Sequence, residues 1–314
     1  MSVWIAAGSD GALVEPDDAR VSAFDHGVTV GDGVFETIKV VDGTPLALTR
    51  HLHRLTRSCD VLGLATPDSA SLTDAVSSVI ASQPEAARLG RLRITVTAGL
   101  GPLGSDRGAG EGTTIVALAS MDPWPATTSA IVVPWVRNER SAVVGAKTTS
   151  YAENVVALRW AHERGFSEGL FMNSAGNLSE GTGTNVFVVI DGQVVTPGLD
   201  SGCLAGITRE LILEWGMAVE GELHGLVADG DRGDGAHPLP GGQDRRGGDR
   251  PLGDRRLQER GVVLRHAHIQ RLPARVVGGL EVGGEALLRG FRLDLGAAEL
   301  FALDAQAFGR VARI

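Results

Sequence analysis

LSEGTGTNVFVVIDGQVVTP, residues 178–197, carries the reading on which the fold turns. With GLFMNS just upstream (169–174) it reads as paired β-strands: TNVFVVIDGQVVTP is rich in β-branched residues and bounded by glycines. Between the two strand signals stands Glu180, in GNLSEGTGTNVF, where glycines let the backbone approach a flat ligand closely. Downstream, GITRELILEWGMAVEG (206–221) reads as a helix beginning near Thr208. Its start places the backbone amides of Ile207 and Thr208, with a hydroxyl beside them, at a helix N-terminus, which is an anion site by geometry and dipole.

Working outward, the pattern alternates between strand and helix. AIVVPWV (130–136) reads as a strand and AENVVALRWAHERG (152–165) as a helix. Nearer the N-terminus, FETIKVVDGTPLAL reads as a hairpin turning at Asp42-Gly43. LTRHLHRLTRSCDVLGL has helical spacing of Leu52, Leu55, Val61 and Leu62. ASLTDAVSSVIASQ is a second helix with Ser71 as its cap, and RLRITVTAG and TTIVALASM are strands. The predicted class is α+β or α/β in two parts: residues 1–120 an N-terminal α/β domain, 121–129 (MDPWPATTS) a linker, and 130–223 a C-terminal domain.

From residue 224 the composition changes. Across the last 91 residues there is no Ser, Thr, Asn, Lys, Tyr, Trp, Met or Cys. Apart from Ile269, Phe291, Phe301, Phe308 and Ile314, every residue there belongs to a type with codons that begin with G or C. A GC-rich gene read in a displaced frame produces this bias, so residues 224–314 read as an atypical Gly/Arg/Asp-rich segment. It is either a frameshift product entered near Glu222–His224 or a partly disordered extension.

The chain has 314 residues, 43% hydrophobic residues and a net charge of −9, which describes a soluble globular protein without a basic field for nucleic acid or anionic membrane. The arginines of DRRGGDRPLGDRR are diluted by aspartate and lack interleaved aromatics, which also argues against nucleic acid. No apolar run approaches the ~18–20 residues of a membrane span, and the N-terminus lacks the basic flank of a secretory signal. Two cysteines, Cys59 and Cys203, make neither a disulfide framework nor a zinc spacing, so no metal is expected and a reducing cytoplasm is.

Lysine is almost absent. Only Lys39 and Lys147 occur, against 27 arginines, and Tyr151, four residues after Lys147, is the single tyrosine. Arginine replaces lysine on a surface at little cost but cannot do its covalent chemistry: a neutral amine condenses with an aldehyde, whereas a guanidinium stays charged. The commonest biological aldehyde met by such a lysine is pyridoxal 5′-phosphate. That group needs an acid for its pyridine nitrogen, donors for its phosphate and a surface to position its ring. Glu180 could supply the acid, the 206–209 helix start the phosphate donors, and Arg54 in HLHRL a charge-assisted pair. Taken singly, each feature also fits a solvated loop, a plain cap or a surface arginine.

Their joint order is more specific. GDGVFE (31–36), HLHRL (51–55), Lys147, LSEGTGTNVF (178–187) and LAGITR (204–209) resemble the fold-type IV pyridoxal-phosphate enzymes, the class IV aminotransferase-like family. It comprises branched-chain aminotransferases, D-amino-acid aminotransferases and aminodeoxychorismate lyase. The resemblance covers roughly residues 10–223. It implies a D-amino-acid aminotransferase-like fold, with residues 130–223 as an incomplete cofactor-binding domain. It also implies Lys147 as the Schiff-base lysine, Glu180 as partner of the pyridine nitrogen, and Arg54, Ile207 and Thr208 as phosphate ligands. Lys39 has no counterpart and reads as structural. Tyr151 either contacts the cofactor's 3′-oxygen or packs beside it, and Asn154 falls where related enzymes often carry an asparagine. The family's Ser/Thr-rich phosphate turn has no equivalent after residue 223.

DHGVTVGDGVFET (25–37) and RITVTAGLGPLGSDRG (93–108) resemble segments of bacterial aminodeoxychorismate lyases, in which a Gly-rich loop lies near the substrate side. The expected activity is therefore a lyase giving 4-aminobenzoate and pyruvate in folate biosynthesis. The alternatives are a D-amino-acid or branched-chain aminotransferase and a non-catalytic remnant. A homodimer acting on a small molecule, with each site bordered by the partner's N-terminal domain, is also implied. The frame reading has a direct check: genomic DNA around codons 222–224 is expected to continue in an alternative frame with a family-like C-terminus, and an early stop there refutes it.

Overall fold

A computed structural model describes residues 2–224, except 9, 126 and 191, together with the strand backbone of 298–303. The first half supplies β1 (Val3–Ala7), β2 (Gly11–Val14), a four-residue helix α1 (His26–Thr29), β3 (Gly33–Val41), β4 (Thr44–Pro45), helices α2 (Leu48–Leu62) and α3 (Ser69–Ser82), β5 (Leu89–Thr97) and β6 (Thr113–Ser120). The six strands form one antiparallel sheet in the order β2-β1-β6-β5-β3-β4. The β3–β4 turn is the expected Asp42-Gly43, with φ of 46° and 77°, the two left-handed residues a tight hairpin turn requires. The N-terminal stretch, which carries no clear strand signal in the sequence, forms the β1–β2 hairpin at the edge of the sheet.

Alternation along β3 divides its side chains between two jobs. Val34, Ile38 and Val40 enter a core with Leu52, Leu55 and Cys59 of α2, Val76 and Val79 of α3, and Leu92 and Ile94 of β5. Phe35 and Thr37 face the opposite way, toward a cavity. The buried stripe of α2 differs from the expected one. Cys59 is fully buried, whereas Val61 is 49% exposed, because positions 52, 55 and 59 follow the helical repeat and 61 has rotated off that face. The α3 cap also moves upstream. Asp68, in extended conformation, accepts the Ser71 N–H at 2.8 Å, so Ser71 is the capped residue and not the cap.

The second half contains β7 (Ala130–Arg137), α4 (Ala152–His162), β8 (Glu168–Asn173), β9 (Leu178–Gly181), β10 (Asn185–Ile190), β11 (Gln193–Pro197), α5 (Ile207–Glu214), β12 (Val219–Gly221) and β13 (Ala298–Leu303). β7 and β8 run parallel, and α4 is the crossover between them, packing Ala157 against Val133 and Phe171. β9 pairs antiparallel with β8. A second sheet runs β12-β11-β10-β13. The helix expected over 206–221 stops at Glu214. Gly216, at φ 65°, reverses the chain so that Ala218 joins Phe187 and Ile212 in a small core and β12 lies parallel to β11. Glu180, expected in a turn, sits within β9. The composition change after residue 223 falls, apart from His224 and the backbone of 298–303, outside the described residues.

The two halves meet along β3 and α2. The lysine segment lies antiparallel to β3, with the Phe35 N–H donating to the Lys147 carbonyl at 2.9 Å and the Thr149 N–H to that of Gly33 at 2.8 Å. Arg50 of α2 forms a two-pronged pair with Glu214 of α5, both bonds at 2.8 Å. Among the described residues no helix is long and apolar enough to cross a membrane.

The rotated α2 stripe gives a stability contrast. Leu55→Ala is expected to cost about 2–5 kcal/mol in denaturant unfolding. Val61→Ala is expected to stay within about 0.5 kcal/mol of the parent.

Candidate active site

The seam between the halves opens into a cavity of about 420 Å³, walled by β3 and β5 on one side and by the lysine segment, β9 and the approach to α5 on the other. Lys147 is fixed there by its backbone. Its N–H donates to the Ser58 hydroxyl at 3.1 Å and its carbonyl accepts from Phe35. Its Nζ stands 4.5 Å from the Phe35 ring centroid and 5.8 Å from that of Tyr151. The two rings meet edge to face, with centroids 5.2 Å apart. The single tyrosine thus packs beside the lysine, at the N-cap of α4. Burial pushes its phenol up to about 12, helped by the charges of Glu180 and Glu168, so the hydroxyl keeps its proton at neutral pH.

Glu180 lies across the cavity from these rings, its side chain 14% exposed. Its Oε2 accepts the Leu204 N–H at 2.9 Å, and its Oε1 stands 3.2 Å from Nε of Arg137. Burial raises its proton affinity, and Glu168 adds to the effect. Arg137, the Leu204 amide and Lys147 pull the other way without cancelling it. Arg137 is a site residue that the sequence reading missed. It ends β7, lies 4.3 Å over the Phe171 ring and donates to Glu153 at 3.0 Å. The available signal was a charged residue at the carboxyl end of a parallel strand, where α/β sheets place ligand sites. Asn154 is buried and donates to the Thr182 carbonyl at 2.5 Å, joining α4 to the cavity wall.

Arg54 reaches the same cavity, and its main partner is inside the protein. Its Nε and Nη2 grip the fully buried Glu36 at 2.8 and 2.6 Å, and Nη1 donates to the Ala205 carbonyl at 3.0 Å. His51 Nδ1 is 2.7 Å from the same carboxylate. Burial alone would raise the Glu36 carboxyl, but hydrogen bonds and charge from Arg54, then His51, lower it to about 2. Glu36 shares the core-facing phase of β3 with Val34, Ile38 and Val40. An acid in that phase is the sequence signal for a buried pair, and it was overlooked. Of Arg54's five N–H groups, three are engaged and two remain for a ligand.

At the start of α5, Gly206 is required by close approach, since a Cβ there would lie 1.7 Å from Oδ1 of Asn185. Ile207 lines the cavity. Thr208 is buried in the first helical turn and is not part of the lining. Among the described residues no group of three or more His, Cys, Asp and Glu is placed to hold a metal. Lys39 is buried in β3 and is not among the residues that line the cavity. The Gly-rich loop 98–112, expected near the substrate side, contributes nothing to the cavity of its own chain.

An amine and a carboxylate of raised proton affinity thus line one cavity sized within the roughly 300–1,000 Å³ of cofactor pockets, beside an aromatic pair, an arginine and a helix start. This donor set fits an aldehyde cofactor with a basic ring nitrogen and an anionic group. The family model "Amino-transferase class IV" matches residues 33–224, and the chain belongs to that family, whose members depend on pyridoxal phosphate. A putative branched-chain-amino-acid aminotransferase of Methanocaldococcus jannaschii is 33% identical over 210 residues, covering 65% of this chain and 72% of that protein. The aminodeoxychorismate lyase of Bacillus subtilis is 28% identical over 209 residues, covering 65% and 71%. A hypothetical aminotransferase from Mycobacterium tuberculosis, solved with α-ketoglutarate and PMP bound, superposes with a TM-score of 0.61 at 26% identity, covering 70% of this chain and 82% of that one.

The Glu36 pair gives the protein an acid-labile element. The folded carboxyl is depressed, so its stabilisation is fully present above 4.5 and disappears as pH falls toward about 2. Glu36→Gln should flatten stability over that window. Arg54→Met, which strands the buried charge, should cost about 3–5 kcal/mol in urea unfolding at neutral pH.

Proposed function

We propose that this cavity holds pyridoxal 5′-phosphate and that the chain is an aminodeoxychorismate lyase, converting 4-amino-4-deoxychorismate to 4-aminobenzoate and pyruvate for folate synthesis. The observation that carries the substrate reading is the cationic wall opposite Glu180. Arg91 and Arg93 of β5 both line the cavity, and Arg93 lies 3.7 Å over the Phe35 ring and donates to the neutral Thr95 hydroxyl at 3.1 Å. Two guanidinium groups suit a substrate with more than one carboxylate. The similarity to a lyase of Bacillus subtilis supports the same reading.

When bound, the cofactor supplies an aldehyde and an electron-withdrawing ring. Lys147 Nζ would be the group to hold that aldehyde and to move a proton at the substrate's α-carbon. Glu180 holds the proton of the ring nitrogen, with Arg137 beside it to keep the carboxylate in place. Phe35 and Tyr151 position the ring by packing. Arg54 and the Ile207 amide at the start of α5 would receive the phosphate, with Thr208 packed behind them in the first turn.

A homodimer belongs to this proposal. Phe24, Val28, Leu100 and Leu103 are 55%, 63%, 56% and 71% exposed. They are gathered by backbone bonds from His26 to Gly99 and from Gly101 to Phe24, which present loop 98–112 and α1 as one apolar surface suited to a second copy. Two buried thiols suit a reducing cytoplasm.

The second reading is a branched-chain or D-amino-acid aminotransferase, favoured by the Methanocaldococcus jannaschii relative. Coupled detection of pyruvate from aminodeoxychorismate, run beside 2-oxoglutarate-dependent turnover of amino acids, separates the two. The lyase reading expects equimolar 4-aminobenzoate and pyruvate, and amino-acid turnover alone overturns it. Borohydride reduction of cofactor-loaded protein should label Lys147, and Lys147→Ala should lose both the label and at least about a thousandfold in kcat. A labelled peptide elsewhere, or none, refutes the site itself.

A further inference from the structure

Behind the cavity wall lies a second buried carboxylate. We propose that Glu168 is a positioning residue for Glu180: from inside the protein it holds the Gly181–Thr184 turn that shapes the wall and sets a second carboxylate behind Glu180. The inference rests on the reading that this cavity takes pyridoxal phosphate.

Glu168 opens β8 and is 9% exposed. Its Oε1 accepts the N–H of Gly169 at 2.8 Å, the N–H of Thr182 at 3.1 Å and the Thr182 hydroxyl at 2.5 Å, and its Oε2 accepts the Thr184 hydroxyl at 3.0 Å. Three of these four donors come from the residues two and four places after Glu180. The turn is closed further by Gly181 N–H to the Thr184 carbonyl at 2.9 Å and Thr182 N–H to that of Gly169 at 3.0 Å. A Cβ on Gly181 would lie 2.1 Å from the Thr184 hydroxyl and 3.2 Å from the Glu168 carboxyl, so glycine is needed where the carboxylate packs. Gly181 to Asn185 all line the cavity.

Every donor to Glu168 is neutral, so its charge is solvated by hydrogen bonds and left unneutralised by them. The charged and titratable groups around Glu180 come from each surrounding element: Arg137 from β7, Lys147 from the segment before α4, Tyr151 from the start of α4, Cys203 from the approach to α5, and Glu168 from β8. Arg137 and Lys147 favour the ionised form of Glu180, and Glu168 opposes them together with burial. The consequence is that burial and Glu168 together raise the proton affinity of Glu180 against the pull of Arg137, the Leu204 amide and Lys147. Beside a bound cofactor, the Glu180 carboxyl would share a proton with the pyridine nitrogen, with Arg137 next to the carboxylate.

The test is difference infrared titration of the cofactor-free protein, with Glu180→Gln identifying the Glu180 carboxyl band. Glu168→Gln keeps the shape and removes the charge. The Glu180 midpoint should move to lower pH, and cofactor affinity, read from tryptophan fluorescence, should fall several-fold with the circular dichroism unchanged. Glu168→Asp, which keeps the charge, should restore the midpoint more than the affinity. An unmoved midpoint in Glu168→Gln overturns the proposal. If that variant does not fold, Thr184→Val decides: removing a neutral donor while keeping the charge should move the midpoint upward, and no movement overturns the proposal. Failure of the cofactor reading shows separately, as absence of borohydride label on Lys147 with the infrared coupling intact.

Discussion

One buried carboxylate ties the two halves of this protein together. Glu36 occupies a core position of β3, so it cannot be solvated by water, and the protein solves its charge with the forked guanidinium of Arg54 and the ring of His51 from α2. That pair sets the distance between sheet and helix. Because the remaining arm of Arg54 holds the Ala205 carbonyl, it also sets where the chain enters α5. The amides at the start of α5 therefore take their place from a charge buried on the other side of the seam. Arg50, one turn earlier on α2, reinforces this at the surface through Glu214, a contact worth little alone because water screens it.

The cavity is organised by a contrast between acids of one type. Glu36 is surrounded by cations and stays ionised far into acid, whereas Glu180 meets burial and a neighbouring carboxylate that outweigh Arg137 and Lys147, and its proton affinity rises. Environments that push like groups apart allow one to serve as structure and the other to handle a proton. The rings of Phe35 and Tyr151 complete the arrangement by packing edge to face beside the lysine.

The legible parts of the chain were those whose signal is local. Asp42-Gly43 needs no distant partner to make its turn, and the helical repeat of Leu52 and Leu55 announces α2. The scarcity of lysine singled out Lys147 before any geometry was known, and Tyr151 does meet it. The misreadings were those in which a local signal had a competitor. Ser71 and Asp68 are both good caps, and only the true start of α3 chooses between them. The apolar stretch after Glu214 looks helical until Gly216 and the pull of Phe187 turn it into β12. Glu36 and Arg137 carried only a positional signal, an acid in the core-facing phase of β3 and a charge at the end of β7, and Glu168 carried none, because the meaning of each lies in a partner from another element.

By itself, the sequence determined the alternation of strands and helices, the family resemblance, the amine at 147, the acid at 180 and the glycine-rich wall beside it, because propensity, periodicity and residue scarcity are properties of neighbours along a chain. Only the tertiary structure decided which charges are buried, which of them face each other, and that Arg54 is held by Glu36 while Glu180 is held by Arg137 and Leu204. Electrostatic environment is set by distance and desolvation in three dimensions, and residues 36, 54, 137, 168 and 180 share no local pattern that would bring them together.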